Sequence, residues 1–329
     1  MERENKTKNC HYVQRAYLKN FGCYSKNTHI YVFDKWLNEV YIEPKKIKEV
    51  AVEDFFYPQW LEEWLNQNIE SYGIEAIRNL IINKDVNNLS EAEQRRLINW
   101  INLQFIRTPE FQKMLFSAIN QLFKLVENRE IPSIQTEFIE EFIKNERNIA
   151  NLPHYEDQIK RLLWNFIQDV FMFNQELLNT HQFSIIENKT EFNYYTSDNP
   201  VVIAKQSGNY IPFEIQISWI GNQKFINISD SLKLWIDPQT NFFLPLTPDV
   251  LLVIWNKKQK VPEFSIQKSL QHVYKINTLI TTQSTRYIFS QSKEFQLAFK
   301  AIEEFPGSRK KGINRVRPKY LHINHERIK

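Results

Sequence analysis

Hydrophobic and polar positions change their spacing twice along this chain. His11 to Phe21 reads as a short helix or turn-helix, with Val13, Tyr17 and Phe21 as its apolar stripe. Ile30 and Val32, then Val40 and Ile42, recur with period two, so THIYVFDKW and NEVYIEP predict a β-hairpin. From Trp60 the spacing becomes helical. One helix is expected over 61–82 and a second from the capping box of Ser90 and Glu93 to about Thr108. A third opens on Pro109, and two more cover about 134–148 and 154–178, set apart by Pro132-Ser133 and Asn151-Leu152-Pro153. From Gln182 the texture turns β: FSIIEN, FNYYTS, VVIAK, FFLPLTP and LLVIW are short β-branched and aromatic runs between turn residues. A helix over about 270–283, the strand RYIFS and the helix KEFQLAFKAIEE follow.

The fold class expected is α+β: a helical lobe of five or six helices, an antiparallel sheet lobe with two helices, and an N-terminal β-hairpin. Without a Pro/Gly/Ser-rich linker, residues 1–305 read as one unit with two lobes. Residues 54–180 are then helical, 11–50 and 181–305 mainly β with helices, and 306–329 a basic tail.

Composition narrows the chemistry. Glycine supplies 6 of 329 residues, and the phosphate loops and dinucleotide fingerprints that need glycine freedom are missing. No HExxH, GxSxG or CxxC occurs either. The mean hydropathy is −0.49, and apolar runs such as LLVIW fall far short of a ~20-residue membrane span. MERENKTKNC carries no apolar leader segment, and Cys10 and Cys23 are the two cysteines, so the expectation is a cytoplasmic protein with free thiols. A zinc site from Cys10, His11, Cys23 and His29 has no specific spacing behind it. Residues 306–329 hold eight Lys or Arg against one Glu, so a net charge of +4 divides into a basic tail and a mildly acidic body. Arg309, Lys310, Lys311, Arg315 and Arg317 are candidates for sequence-blind contact with nucleic acid, and a solvated terminus is the plainer alternative. Val316, Tyr320, Leu321 and Ile323 would let part of the tail dock as a strand. Arg317 and His322 have the spacing of a ribonuclease R-x4-H motif, but Pro318 interrupts the helix it requires.

Three places put polar groups against the pattern. Gln104, Arg107 and Thr108 extend the apolar face of the second long helix, where each needs a partner or a ligand. His11, Gln14 and Arg15 share a face if their segment is helical, joining a proton-transfer group to an anion-binding one. Thr196-Ser197-Asp198-Asn199-Pro200 is a turn between strands, in which Asp198 could also act as base, orienter or metal ligand. Glu62/Glu63 and Glu140/Glu141 read as solvated helix faces.

HYVQRAYLKNFG, IYVFDK, AVEDFFY, QFIRTPEF, YYTSDNPVV, FFLPLTPD and KIN…RYIFS stand in an order that resembles the domain-of-unknown-function family numbered 4238. The likeness runs from His11 to about Ser290, short of the tail. It implies characteristic polar positions at His11, Arg15, Gln104, Arg107, Thr108, Ser197, Asp198, Asn199 and Asn277. The family pattern usually has Pro where this chain has Gln14, and it carries no established activity. These positions are expected to converge between the lobes on an anionic, phosphate-bearing ligand or nucleic acid. In a hydrolase or nuclease, His11 would be general acid/base, Arg15 and Arg107 would stabilise charge, and Asp198 would orient the base or hold a metal. Gln104 and Asn199 would position substrate. The alternatives are a non-catalytic nucleotide or nucleic-acid sensor, a partner-binding subunit of a bacterial defence or toxin system, and a purely structural polar network. No cofactor is specified by these residues.

Overall fold

The computed structural model describes residues 10–25, 27–53, 59–109, 111, 174–205, 216–220, 223–227, 240–258 and 269–309. It is α+β, with antiparallel sheets and, among the described residues, seven α-helices, the shortest of four residues. The helices expected over 134–148 and most of those from 109 and 154 lie outside the described residues. Among the described residues, no helix is long and apolar enough to cross a membrane.

The N-terminal segment is not the continuous helix its spacing predicts. Strand β1 (Cys10–His11) comes first, then the short helix α1 (Arg15–Leu18) and a 3-10 turn, Lys19–Phe21. Val13, Tyr17 and Phe21 are nonetheless fully buried, as their apolar stripe requires. The hairpin forms from β2 (His29–Asp34) and β3 (Glu39–Val40), but its second strand stops early. The register changes from Phe33↔Val40 to Ile30↔Lys45, so two extra residues bulge out before β4 (Lys45–Lys46) resumes the pairing. Ile42 therefore stands exposed instead of facing the core. Strand β5 (Val52–Glu53) returns alongside β1, pairing Val52 with His11.

Helix continues from Gln59 to Asn83 as α2 (Gln59–Leu65), a π-helical turn over Asn66–Glu70, and α3 (Ser71–Asn83). Lys84 closes it in the left-handed conformation, φ 51°. The capping box forms as read: Ser90 N–H donates to Glu93 Oε2 (2.9 Å), and Glu93 N–H donates to Ser90 Oγ (3.3 Å). It starts α4 (Glu91–Ile106). Gly73 lets α3 and α4 approach closely, since a Cβ there would lie 2.3 Å from Trp100 Cβ. Helix α5 (Asn174–Thr180) then leads into the sheet region.

Four strands, β6 (His181–Glu187), β8 (Val202–Lys205), β11 (Thr240–Thr247) and β12 (Val250–Asn256), form a sheet in the order β6-β12-β11-β8. Between them lies a hairpin, β9 (Gln216–Ile220) and β10 (Gln223–Asn227), that the sequence reading passed over. The five-stranded second sheet runs β3-β2-β13-β7, with β4 also on β2. Its β7 is only Thr196–Ser197, and β13 is Tyr287–Ser290. Helices α6 (Leu270–Gln283) and α7 (Gln296–Glu304) fall where their spacing predicts.

Two apolar clusters lie on opposite faces of the four-stranded sheet. Val250, Leu252 and Ile254 join Phe242, Leu244, α3, α4 and the N-terminal segment. Leu251, Val253 and Trp255 join Phe243, Val202, α6 and α7. Covered on both faces, these strands read as continuous apolar runs rather than as alternating ones. At about 25 cal/mol per Å2 of apolar surface, burial on both faces is the main force holding helices to sheet.

Candidate functional site

The first polar group gathers at the C-terminal end of α4. Arg107 ends that helix and turns its side chain inward, where it is 1% exposed. Its Nε donates to the Tyr12 carbonyl (2.9 Å), and its guanidinium is ion-paired with Glu70. The π turn explains how two carboxylates reach this place. Residues eight apart on a regular α-helix point about 80° away from each other. The additional residue of a π turn takes up that difference. Glu62 and Glu70 consequently lie on one side, and both sense the Arg107 charge or each other. Burial raises the Glu62 carboxyl above its ordinary value, with Arg107 opposing and Glu70 adding to the shift. Its Oε2 is buried with no hydrogen-bond partner among the described residues. Glu62 is thus no solvated helix face, and neither Glu62 nor Glu70 carried any signal legible from α-helical spacing.

His11 sits beside the same guanidinium, on a strand rather than on the helical face expected for it. Burial, then the positive charges of Arg15 and Arg107, hold its imidazole at about 4, while backbone groups at Ile47 and Lys48 resist the shift. It is neutral at pH 7, and its Nε2 is buried without a partner among the described residues. Arg15, the first residue of α1, is exposed. The strand placing His11 is held by Tyr12 N–H donating to Ala51 O (3.0 Å), and Ala51 itself is left-handed at φ 49°. A left-handed alanine is strained, and such strain persists only where surrounding contacts impose it.

Gln104 and Gln14 complete the group. Gln104 Oε1 accepts from the Gln14 backbone N–H (3.1 Å), and Gln14 Oε1 accepts from Trp100 Nε1 (2.6 Å). Gln104 Nε2 is buried without a partner among the described residues. Thr108, by contrast, serves the chain: its hydroxyl donates to Phe105 O (2.9 Å) and accepts from Phe111 N–H (3.3 Å), linking α4 to the helical residues after it.

The second polar group surrounds the Thr196–Pro200 turn, and here the carboxylate is taken up by backbone. Asp198 accepts from Thr285 N–H (2.8 Å), Arg286 N–H (2.7 Å) and Tyr287 N–H (2.9 Å). Burial pushes its carboxyl upward, whereas those three amides and the Lys35 ammonium pull it down. Expected as a base or metal ligand, Asp198 is engaged by three backbone amides and clasps the start of β13. Ser197 Oγ donates to Asn199 O (2.7 Å) and accepts from Asn199 N–H (3.1 Å), the bonding of a tight turn. Asn199 Nδ2 donates to Gln283 O (3.1 Å). Asn277 accepts from Tyr195 N–H (2.9 Å) and donates to Asn193 O (2.8 Å), standing in for a neighbouring strand. Lys35, missed in the sequence, donates to Thr281 O (3.0 Å) and Ser284 O at the end of α6.

The positions expected to meet in one place therefore divide into two hydrogen-bonded sets. Tyr17 bridges them: its hydroxyl bonds Thr196 Oγ1 (2.8 Å) and Pro245 O (2.7 Å), and its ring lies 5.3 Å from that of Trp100. Arg309 is exposed in a 3-10 turn, Pro306–Arg309. Lys310, Lys311, Arg315 and Arg317 lie outside the described residues, as does the Arg317/His322 pair. Cys10 and Cys23 are buried and unbridged, and the described residues hold no group of three or more His, Cys, Asp or Glu placed for a metal ion.

The family profile described as "Protein of unknown function (DUF4238)" matches residues 9–294. The chain belongs to the DUF4238 family. No curated protein and no solved structure matches it. A proline at position 14 would lack the N–H that Gln104 accepts here, so that bond depends on this residue.

Proposed function

We propose that this DUF4238 protein acts on a phosphate-bearing ligand, as a hydrolase or nuclease, at the site formed by His11, Arg15, Glu62, Gln104 and Arg107. The observation carrying the reading is the buried, partnerless Nε2 of His11, neutral at pH 7 beside two guanidinium groups. A neutral imidazole is a proton acceptor, and a carboxyl raised by burial retains its proton to higher pH than usual. His11 and Glu62 thus differ in the way that separates a general base from a general acid. Arg15 supplies an exposed cation for the ligand, and Gln104 Nε2 an unused donor. Asp198 has no part in this chemistry.

Nucleic acid is the larger ligand that the basic tail would favour, through Arg309, Lys310, Lys311, Arg315 and Arg317. Removing residues 306–329 should then flatten the salt dependence of binding.

One observation favours a second reading, a structural network without turnover. Glu70 and Tyr12 already engage Arg107. The two readings separate in a thermal-shift screen against nucleotides, short RNA and DNA, followed by turnover assays on the ligands that bind. His11→Ala is expected to abolish turnover with the melting temperature little changed. A flat screen at millimolar ligand would leave the network reading standing and overturn the enzymatic one.

A further inference from the structure

Two carboxyls and one guanidinium meet at the end of α4, and the guanidinium is bonded to only one of the two. Arg107 Nη1 is ion-paired with Glu70 Oε1, the side chains being 1% and 10% exposed. The Arg107 Nε donates to the Tyr12 carbonyl (2.9 Å), which fixes the plane of the group. Glu70 is set in place by helix packing: three residues on, Gly73 brings α3 against Trp100 of α4, about two turns before Arg107. Glu62, carried to the same side by the π turn, feels the Arg107 charge, yet no hydrogen bond joins them. Its Oε2 is buried without a partner among the described residues.

Which carboxyl holds the guanidinium decides which one carries the charge. A guanidinium stabilises the ionised form of the carboxyl it touches, and a second negative charge at the same place opposes ionisation. Held by Arg107, Glu70 is the carboxylate of the pair, and its charge adds to burial in resisting ionisation of Glu62. With Arg107 turned to Glu62 the states would exchange, and a base would stand where the site has an acid. His11, across the guanidinium on β1, is neutral and adds no charge. Among the described residues, the charges acting on Glu62 are thus those of Arg107 from α4 and Glu70 from the π turn. We infer that Glu70 is a positioning residue: by holding the Arg107 guanidinium it keeps that group off Glu62 and leaves Glu62 as the proton donor of the His11 site. This rests on the hydrolase reading of that site.

The test is the carboxyl titration of Glu62 in the full-length chain, followed by carbon-detected NMR, with Glu62→Gln identifying its resonance. Glu70→Gln keeps the shape of the side chain and removes its charge. Arg107 then turns to Glu62, and the Glu62 midpoint is expected to fall by ~1 pH unit or more, as an adjacent guanidinium does to a carboxylate. Glu70→Asp, which keeps the charge, should restore most of the wild-type midpoint. A role in stability alone would lower the denaturation midpoint of Glu70→Gln and leave the Glu62 titration in place, and that result would overturn the inference. Breaking a buried pair is strongly destabilising, so the double variant Glu70→Gln/Arg107→Met removes both charges together. With the guanidinium gone, Glu62 should titrate at or above its wild-type midpoint; a lower one would equally overturn the inference. The titration needs no substrate. A fallen midpoint beside a flat ligand screen would keep the control of Glu62 by Glu70 and remove the hydrolase reading, while an unmoved midpoint beside turnover would do the reverse. Where turnover is found, the basic limb of its pH profile should move down in Glu70→Gln together with the Glu62 midpoint.

Discussion

The two polar groups on either side of Tyr17 are built from similar residues and end in different electrostatic states. Around Asp198, side chains mainly serve backbone: the carboxylate takes three amides, Asn277 clamps residues 193–195, and Lys35 caps the last carbonyls of α6. Around Arg107, His11 Nε2, Glu62 Oε2 and Gln104 Nε2 are buried without a partner among the described residues, two of them on titratable groups, whereas around Asp198 the atoms left so include the uncharged Asn199 Oδ1 and Thr285 Oγ1. A carboxylate that replaces missing strand neighbours is bound to the fold, because removing it strands several N–H groups together. An imidazole, a carboxyl and an amide with spare bonding capacity around one guanidinium are costly to the fold and available to a ligand. The contrast sets a clasp apart from the group proposed as a site, although the sequence offered residues of both as site residues.

The comparison is most exposed to Asp198→Ala. Leaving three buried N–H groups without an acceptor should cost about 3–5 kcal/mol, read as a large fall in the denaturation midpoint. A loss under about 1 kcal/mol would end the clasp interpretation. Next in size is the acid limb of stability. His11 stays neutral down to about pH 4 in the folded protein but takes up its proton near 6.5 when unfolded. The unfolded chain therefore binds more protons between those values, and stability falls as pH drops from about 6.5 toward 4, by roughly 2–3 kcal/mol. Chemical denaturation of His11→Gln should show a flatter profile over that window; an unchanged slope would mean the imidazole is not held neutral. Asn277→Leu, which unclamps Tyr195 and Asn193, should cost about 2 kcal/mol by equilibrium unfolding. The smallest effect belongs to Gln104→Met, which removes an unpartnered donor along with one acceptor and should stay within about 1 kcal/mol. If Gln104→Met proves as damaging as Asn277→Leu, the two groups are alike and the contrast fails.

Much of the fold was legible. Apolar spacing located α4, α6 and β12, Ser90 and Glu93 announced their capping box, and the aromatic β-branched runs marked most strands. What escaped was geometry arising between elements. His11 and Gln14 looked like neighbours on one helix, but pairing with Val52 draws His11 into a strand. Tyr194 and Tyr195 looked like strand, yet their N–H groups are taken by Pro248 O and by the Asn277 side chain. Glu62 and Glu70 could not be placed together from α-helical spacing, since the π turn that aligns them has no sequence signature of its own here.

By itself the sequence determined the α+β class, most of its longer elements and their buried faces, and membership in the DUF4238 family, because each depends on local periodicity or ordered motifs along the chain. Only the tertiary structure decided which polar residues are free to act. Hydrogen-bond satisfaction is settled among groups far apart in sequence, as when Asp198 meets residues 285–287 while His11 Nε2 meets none.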